Sequence, residues 1–456
     1  MYGALMKLKL LLISLVICAL PLTAQISIKY ERFTLPNGLN VILHEDHSLP
    51  NVSVNLWYHV GSGREKPGRT GFAHLFEHIM FEGSGNVPEG KFDEWLEAAG
   101  GDNNASTSSD RTNYFENGPK NALDLMLFLE SDRAGYLLKT MSPSKVDGQR
   151  DVVKNERRQS YENRPYGLSS LLIDSTLYPT GHPYQWPTIG SMDDLTAASF
   201  EDVVDFFKKY YVPNNASLVV AGDIDPVTTK GQIEKWFSDV PRGAAVPPMD
   251  NPAAYLTEEK RLLLEDNVQL PRLYLAWHSP AVLTAGDAEL DVLANVLAGG
   301  KNARLYKRLV YDMQIAQDVS AFQASSELTS SFQIIVTARG GHTLQEILSV
   351  VQEEINKVKT EQPTQREVQR AVNGFEASFL NRLESLGGKA DQLNNYYINT
   401  GNPDYFNEDL SRYKALSPSD IRSVAQTYLR DDARVLLSVV PKGKTELAVP
   451  VMKGGQ

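Results

Sequence analysis

Residues 39–43 (Leu-Asn-Val-Ile-Leu) and 51–57 (Asn-Val-Ser-Val-Asn-Leu-Trp) are short apolar runs, and the second alternates apolar with polar. That pattern predicts two strands. Gly61, Ser62 and Gly63 mark a turn. Residues 72–81 and about 91–99 read as helices, joined by a loop over Gly83–Gly90. Residues 103–116 are polar and rich in Thr and Ser, and read as an edge strand. Longer helical patterns cover 121–137, 145–162 and 199–211, and Leu218-Val219-Val220-Ala221 reads as a strand.

Residues 241–254 hold Pro241, Gly243, Pro247, Pro248 and Pro252, which is linker composition. After it the plan recurs. Asn55-Leu56-Trp57-Tyr58 matches Arg272-Leu273-Tyr274-Leu275, and Tyr211–Ala216 matches Tyr428–Ala433, both at an offset of 217 (272 − 55 and 428 − 211). Gln149-Arg150-Asp151-Val152 matches Gln365-Arg366-Glu367-Val368 at 216. Three matches in one order indicate a duplication. The expected fold is α+β, because strands and helices mix without regular βαβ alternation. The expected parts are an export signal (1–24), a first domain (25–240), a linker (241–257), a homologous second domain (258–445) and a tail (446–456).

The export signal rests on Lys7 and Lys9, the apolar run 10–20 and the small-residue pattern ending at Ala24. The run is short for a membrane span, which needs about 20 residues. A periplasmic or secreted protein without a lasting membrane anchor is therefore expected. Cleavage would remove Cys18, the single cysteine of the 456 residues. No disulfide, thiolate metal site or cysteine nucleophile would remain. Lys+Arg number 45 against 56 Asp+Glu, a net charge of −11, which disfavours binding to nucleic acid phosphates.

The chemistry concentrates in Gly71-Phe72-Ala73-His74-Leu75-Phe76-Glu77-His78-Ile79-Met80. His74 and His78 are four apart, so a helix stacks both imidazoles on one face, where they can reach one metal. Glu77, at the edge of that face, is placed to take a proton from a metal-activated water. The order His-x-x-Glu-His is a known hydrolase motif. Two imidazoles plus a carboxylate suit zinc. Glu156 is one candidate for that carboxylate, since it follows Val152 and Val153 by four and three on a helix. A rim residue paired with Arg157 or Arg158 is the other reading of Glu156.

The His-x-x-Glu-His helix, Phe81-Glu82-Gly83-Ser84 after it, and Asn155-Glu156 resemble the pitrilysin/insulinase metallopeptidase family. The half-length members, which include mitochondrial processing peptidases, are the most similar. Pro36-Asn37-Gly38-Leu39 and Pro213-Asn214-Asn215-Ala216 extend the resemblance over residues 30–440. It implies two homologous domains per chain, each a mainly antiparallel sheet backed by helices. It implies one zinc per chain held by His74, His78 and Glu156, with Glu77 as general base of a zinc endopeptidase cleaving peptides or unfolded small proteins. It also implies an edge strand that pairs with extended substrate. Gly101–Thr107 matches that strand, with Asn104 and Ala105 as the backbone contacts.

Two departures stand out. Gln149 occupies a position where many members have a glutamate. The Arg and Tyr, seven apart, that members use to hold substrate fall here on Val310 and Gln317, with Arg308 and Tyr311 nearby but three apart. A homologous zinc-free partner subunit that supplies the pair, or a homodimer, is therefore expected. In the second half, the offset sets Asp291, Ala294, Asn295 and Val372 opposite His74, Glu77, His78 and Glu156, so that half has lost the metal site. A non-catalytic assembly or binding subunit on the same fold is the alternative function, and the intact quartet argues against it. Tyr161–Tyr166 is expected to continue the chamber wall. The histidines His44, His47, His59, His182, His278 and His342 lack metal-type spacing and read as structural.

Overall fold

The computed structural model describes residues 25–450; the expected export signal and the end of the expected tail, 451–456, lie outside them. The first half runs β1 (Glu31–Thr34), β2 (Asn40–Glu45), β3 (Asn51–Tyr58), α1 (Phe72–Ile79), α2 (Lys91–Ala98), β4 (Asp102–Thr107), β5 (Thr112–Pro119) and α3 (Leu123–Tyr136). It continues through α4 (Pro143–Arg157), α5 (Ser169–Leu177), α6 (Met192–Ala197), α7 (Phe200–Tyr210), β6 (Ala216–Gly222) and α8 (Pro226–Phe237). The second half holds β7 (Lys260–Asp266), β8 (Arg272–Ser279), α9 (Asp287–Ala298), β9 (Ala316–Ala324), β10 (Ser330–Ala338) and α10 (Leu344–Thr360). It ends with α11 (Gln365–Arg382), α12 (Leu386–Thr400), α13 (Phe406–Lys414), α14 (Pro418–Tyr428) and β11 (Val435–Pro441). No helix among the described residues is long and apolar enough to cross a membrane.

Two sheets form, ordered β1-β2-β6-β3-β5-β4 and β7-β11-β8-β10-β9. They repeat one topology: a parallel pair (β2 with β6, β7 with β11) in an otherwise antiparallel sheet. The α+β duplication is thus present, but a single offset of 217 does not describe it. The helices α1 and α9 both start after a left-handed glycine, Gly71 and Gly286, 215 apart. Ser199 and Ser417 begin α7 and α14 with the same backbone bond to Asp202 and Asp420, and are 218 apart. Ser142 and Thr364 cap α4 and α11, 222 apart. Loops of different length make the register drift. Aligned on their caps, the second-half helices set Glu289, Val292, Leu293 and Ser378 opposite the site residues, in place of Asp291, Ala294, Asn295 and Val372. That half still has no pair of imidazoles there.

Strand β3 shows what the local pattern missed. Its alternation implies one face in water, yet Val52 to Tyr58 are all buried. Val52, Val54, Leu56 and Tyr58 enter the first core with α1 and α3. The other face is covered by α12 from the second half. There Ala390, Leu393 and Tyr396 pack on Ile42, Val219 and Ala221. Asn394 donates to the Asn55 carbonyl (2.9 Å), and Trp57 donates to Asp391 (3.2 Å). The first half reciprocates: Ile173 and Leu177 of α5 pack on Tyr274, Ala276, Val435 and Leu437 of the second sheet. Each sheet is therefore closed by a helix from the opposite half. Residues 241–256 have no regular structure. They lie against the first half, with Gly243 N donating to Asn214 Oδ1 (2.8 Å).

The segment 103–116, read as one edge strand, is instead a hairpin of β4 and β5 with its turn at 108–111. Strand β4 is the edge, paired on one side only.

Candidate metal centre

Helix α1 is an eight-residue helix with two fates for its side chains. Phe72, Ala73, Leu75, Phe76 and Ile79 are buried, and the Phe76 ring packs on those of Phe206, Phe207 and Tyr211. His74, Glu77 and His78 lie on the remaining face, half-buried. The helix starts at Gly71, at φ +92°, where a Cβ would come within 2.9 Å of the Ile189 carbonyl oxygen and the Leu195 side chain, so glycine is required. Its first N–H groups are satisfied by Glu65, which accepts from Gly71 and Ala73 at 2.8 Å each. Burial pushes the Glu65 carboxyl up to about 8, against the pull of these backbone donors. Sequence reasoning missed Glu65, because it caps the helix from six residues upstream, outside the usual cap position.

Glu156 comes from α4, whose start is fixed by Ser142 as cap and Pro143 in the first turn. Val153 is fully buried, whereas Val152 is 45% exposed, so the apolar face behind Glu156 is narrower than the spacing implies. Directly after Glu156 the helix widens into a π-turn over Arg158–Glu162, a local form frequent at functional sites. The helical stretch expected over 145–162 thus runs to Glu162, its last five residues as this π-turn. Arg157 pairs with Glu162, and Arg158 donates to Asn155 Oδ1 (2.7 Å). Neither arginine is within ion-pair distance of Glu156 among the described residues, so the rim-residue reading fails.

Instead Glu156 Oε2 lies 3.3 Å from His78 Nε2 and 3.7 Å from His74 Nε2. One ligand atom from each of the three lies within 4.8 Å of the others. A tetrahedral zinc with bonds of about 2.0–2.1 Å sets its ligand atoms about 3.4 Å apart, so the donor set fits the metal. Burial lowers the His74 pKa, which keeps the ring neutral and available as a ligand. The Glu156 carboxyl is held down, chiefly by its hydrogen bond from His78. His74 Nδ1 is buried without a hydrogen-bond partner among the described atoms, so that ring lacks the outer partner common at such sites.

Glu77 lies on the same face. Its Oε2 accepts a 2.6 Å hydrogen bond from Thr107 Oγ1, the last residue of β4. Three positions earlier on that strand, Asn104 Oδ1 accepts from the Ala105 N–H (2.8 Å). The edge strand and the imidazole face are thus neighbours. Gln149 donates to Glu82 (2.5 Å) and touches none of the three ligands.

His74 and Glu156 of the trio open into a cavity of about 540 Å³. His74, Thr107 and Glu156 form one wall, Tyr161, Arg164 and Tyr166 another, and Arg272 and Tyr274 of β8 a third. Of the stretch 161–166, Tyr161, Arg164, Pro165 and Tyr166 line this cavity, and Glu162 and Asn163 do not. The residues from β8 were missed: Arg and Tyr two apart on a strand are unremarkable as sequence. Arg308 and Tyr311 are not at the site. Arg308 is held by Glu353 and Glu354, and Tyr311 is 73% exposed. Val310 lies in a π-turn and Gln317 is exposed on β9.

The remaining histidines contact other side chains or backbone, although both ring nitrogens of His278 lack a hydrogen-bond partner among the described atoms. His44 meets the Lys29 carbonyl (2.7 Å), His47 sits between Glu45 and Asp223, and His59 joins Glu327 across the two halves (2.6 Å). His182 stacks on Tyr178, which also meets the His278 ring edge-on, and His342 lies 3.7 Å from Glu346.

The chain matches two family profiles. Residues 40–180 match insulinase (peptidase family M16), and residues 197–375 match the M16 inactive domain. It is 30% identical over 430 residues to the zinc protease PqqE of Helicobacter pylori, covering 91% of this chain and 93% of that one. It is 23% identical over 429 residues to the mitochondrial-processing peptidase subunit beta of Lentinula edodes, covering 88% of each. A crystal structure of a protease from Helicobacter pylori superposes with TM-score 0.86 at 27% identity, over 91% of this chain and all of that one. The periplasmic protease PqqL of Escherichia coli shares the fold (TM-score 0.77, 20% identity), with 94% of this chain matching 49% of that one.

Proposed function

Since the chain belongs to peptidase family M16, we propose that it is a zinc endopeptidase acting on peptides or unfolded small proteins. The observation that carries this reading is the convergence of His74, His78 and Glu156, three side chains from two helices, beside a further carboxylate, Glu77, held by Thr107. One zinc per chain would be held by the three. When bound, the metal supplies Lewis acidity and a water that ionises near neutral pH. Glu77 takes the proton of the attacking water and passes it to the leaving amine. Thr107 holds Glu77 in place for both transfers. The open edge of β4, through the backbone at Asn104 and Ala105, pairs with the extended substrate and lays its carbonyl against the imidazole face.

The second half contributes no ligand to this centre. Val310 and Gln317, and the engagement of Arg308 elsewhere, support a catalytic subunit that works with a homologous zinc-free partner carrying an Arg/Tyr pair, or as a homodimer. The pattern of residues 1–24 supports export to the periplasm or beyond, and the domain limits 25–240 and 258–445 each enclose one sheet.

The test is metal content beside cleavage of a quenched fluorescent peptide library, with Glu77→Gln as control. The reading requires about one zinc per chain and cleavage that depends on Glu77. Zinc without cleavage by the chain alone, restored by a homologous subunit, assigns the missing pair to the partner. No zinc in either variant after metal is supplied refutes the reading.

A further inference from the structure

The cavity beside the trio runs against the charge of the molecule. The protein carries −11, yet two guanidinium groups, Arg164 from the first half and Arg272 from the second, line this cavity. Neither has a carboxylate within ion-pair distance among the described residues. Arg272 is nonetheless fixed. Its Nε donates to Thr337 Oγ1 (2.9 Å), its Nη1 lies 3.5 Å from the Tyr274 hydroxyl, and its plane lies 3.7 Å from the Tyr166 ring centre. Asp318 meets Thr337 (3.1 Å), not the arginine.

Tyr166 is itself constrained. It has φ +63°, unusual for a residue with a Cβ. Such a conformation persists where surrounding contacts over-determine it. Here Tyr166 N donates to Asp266 (2.7 Å), its hydroxyl donates to the Leu270 carbonyl (2.8 Å), and the ring carries Arg272. These contacts leave Arg272 Nη2 without a protein acceptor among the described residues.

A fixed, planar guanidinium with a free edge, in one cavity with an exposed second one, matches a carboxylate in geometry and charge. We infer that this cavity recognises a carboxylate on the peptide substrate, with Arg272 as the fixed contact and Arg164 as the mobile one. The group is either an Asp or Glu side chain near the scissile bond or the free C-terminus. The inference rests on the peptidase reading for what is bound, but not for how it is held.

Binding of fluorescein-labelled peptides to the full-length Glu77→Gln chain, loaded with zinc and followed by anisotropy, tests it. Peptides differ by Glu against Gln at one position, and each is made as C-terminal acid and amide. One of the two ratios should favour the carboxylate about tenfold. A Glu-over-Gln ratio assigns the side chain, and an acid-over-amide ratio assigns the terminus. Arg272→Gln should bring that ratio to near unity. Arg164→Glu, at an exposed side chain, should weaken that preference. Equal binding of all four peptides, or a ratio unmoved by either substitution, overturns the inference. Cleavage without any acid preference would leave the peptidase reading intact. A carboxylate preference in a chain that takes up no zinc would leave the cavity assignment intact and remove the peptidase reading.

Discussion

Thr107 Oγ1 donates to Glu77 Oε2 across 2.6 Å, and this bond ties the edge strand to the helix that bears both imidazoles. It fixes a carboxylate that would otherwise have free rotation about its own side chain. Holding a reacting group in its productive geometry is worth a large factor in rate. Thr107→Val should therefore lower kcat about tenfold, with KM and zinc content unchanged. Thr107→Ser, which keeps the hydroxyl, should restore most of the rate. Steady-state kinetics with metal analysis of all three proteins checks this.

The ligand trio predicts a graded pattern of metal loss. His74→Ala, His78→Ala and Glu156→Gln should each weaken zinc binding by more than the roughly 10–100-fold that an outer partner costs. Arg157→Gln, one residue from Glu156 but paired with Glu162, should keep its zinc. Competition with a chromophoric chelator measures all four.

Glu367 sets an acid limit on the second half. It accepts from Arg304 at 2.7 and 3.0 Å and from the Thr364 N–H at 2.7 Å. Burial pushes its carboxyl up, but the Arg304 and Thr364 donors outweigh burial and bring it down to about 2 from 4.5. A depressed folded value means that the stabilisation is complete above about 4.5 and disappears as pH falls through about 2. Glu367→Gln should cost about 2 kcal/mol at pH 7. The cost should shrink steadily below pH 4.5. Urea unfolding of both proteins across that range checks the sign.

The exchange of helices makes the halves interdependent. Leu393 of α12, fully buried against the first sheet, belongs by sequence to the second half. Leu393→Ala should cost about 2–5 kcal/mol, and the two halves should unfold in one transition. Residues 25–240 expressed alone would expose Ile42, Val219 and Ala221 and should aggregate or bind a hydrophobic dye. A separate, two-state, dye-silent first half would refute this.

What the sequence by itself determined is local. The spacing of four between His74 and His78, the place of Glu77 beside them, and the strand and helix runs follow from periodicities of two and 3.6 residues, which need no knowledge of distant contacts. The duplication was legible in outline too, because both halves repeat the same runs. Tertiary structure decided which side chains meet. Val152 and Val153 predict a broad apolar face for Glu156, but only Val153 is buried. What brings Glu156 to the imidazoles is the packing of α4 on α1, and this also rules out the arginines as its partners. The alternation in β3 predicts a wet face, and α12 covers it from the other half. Arg272 and Tyr166 have no spacing that announces them, being 106 residues apart (272 − 166). They meet because the two halves close around one cavity, and periodicity within either segment carries no information about that closure.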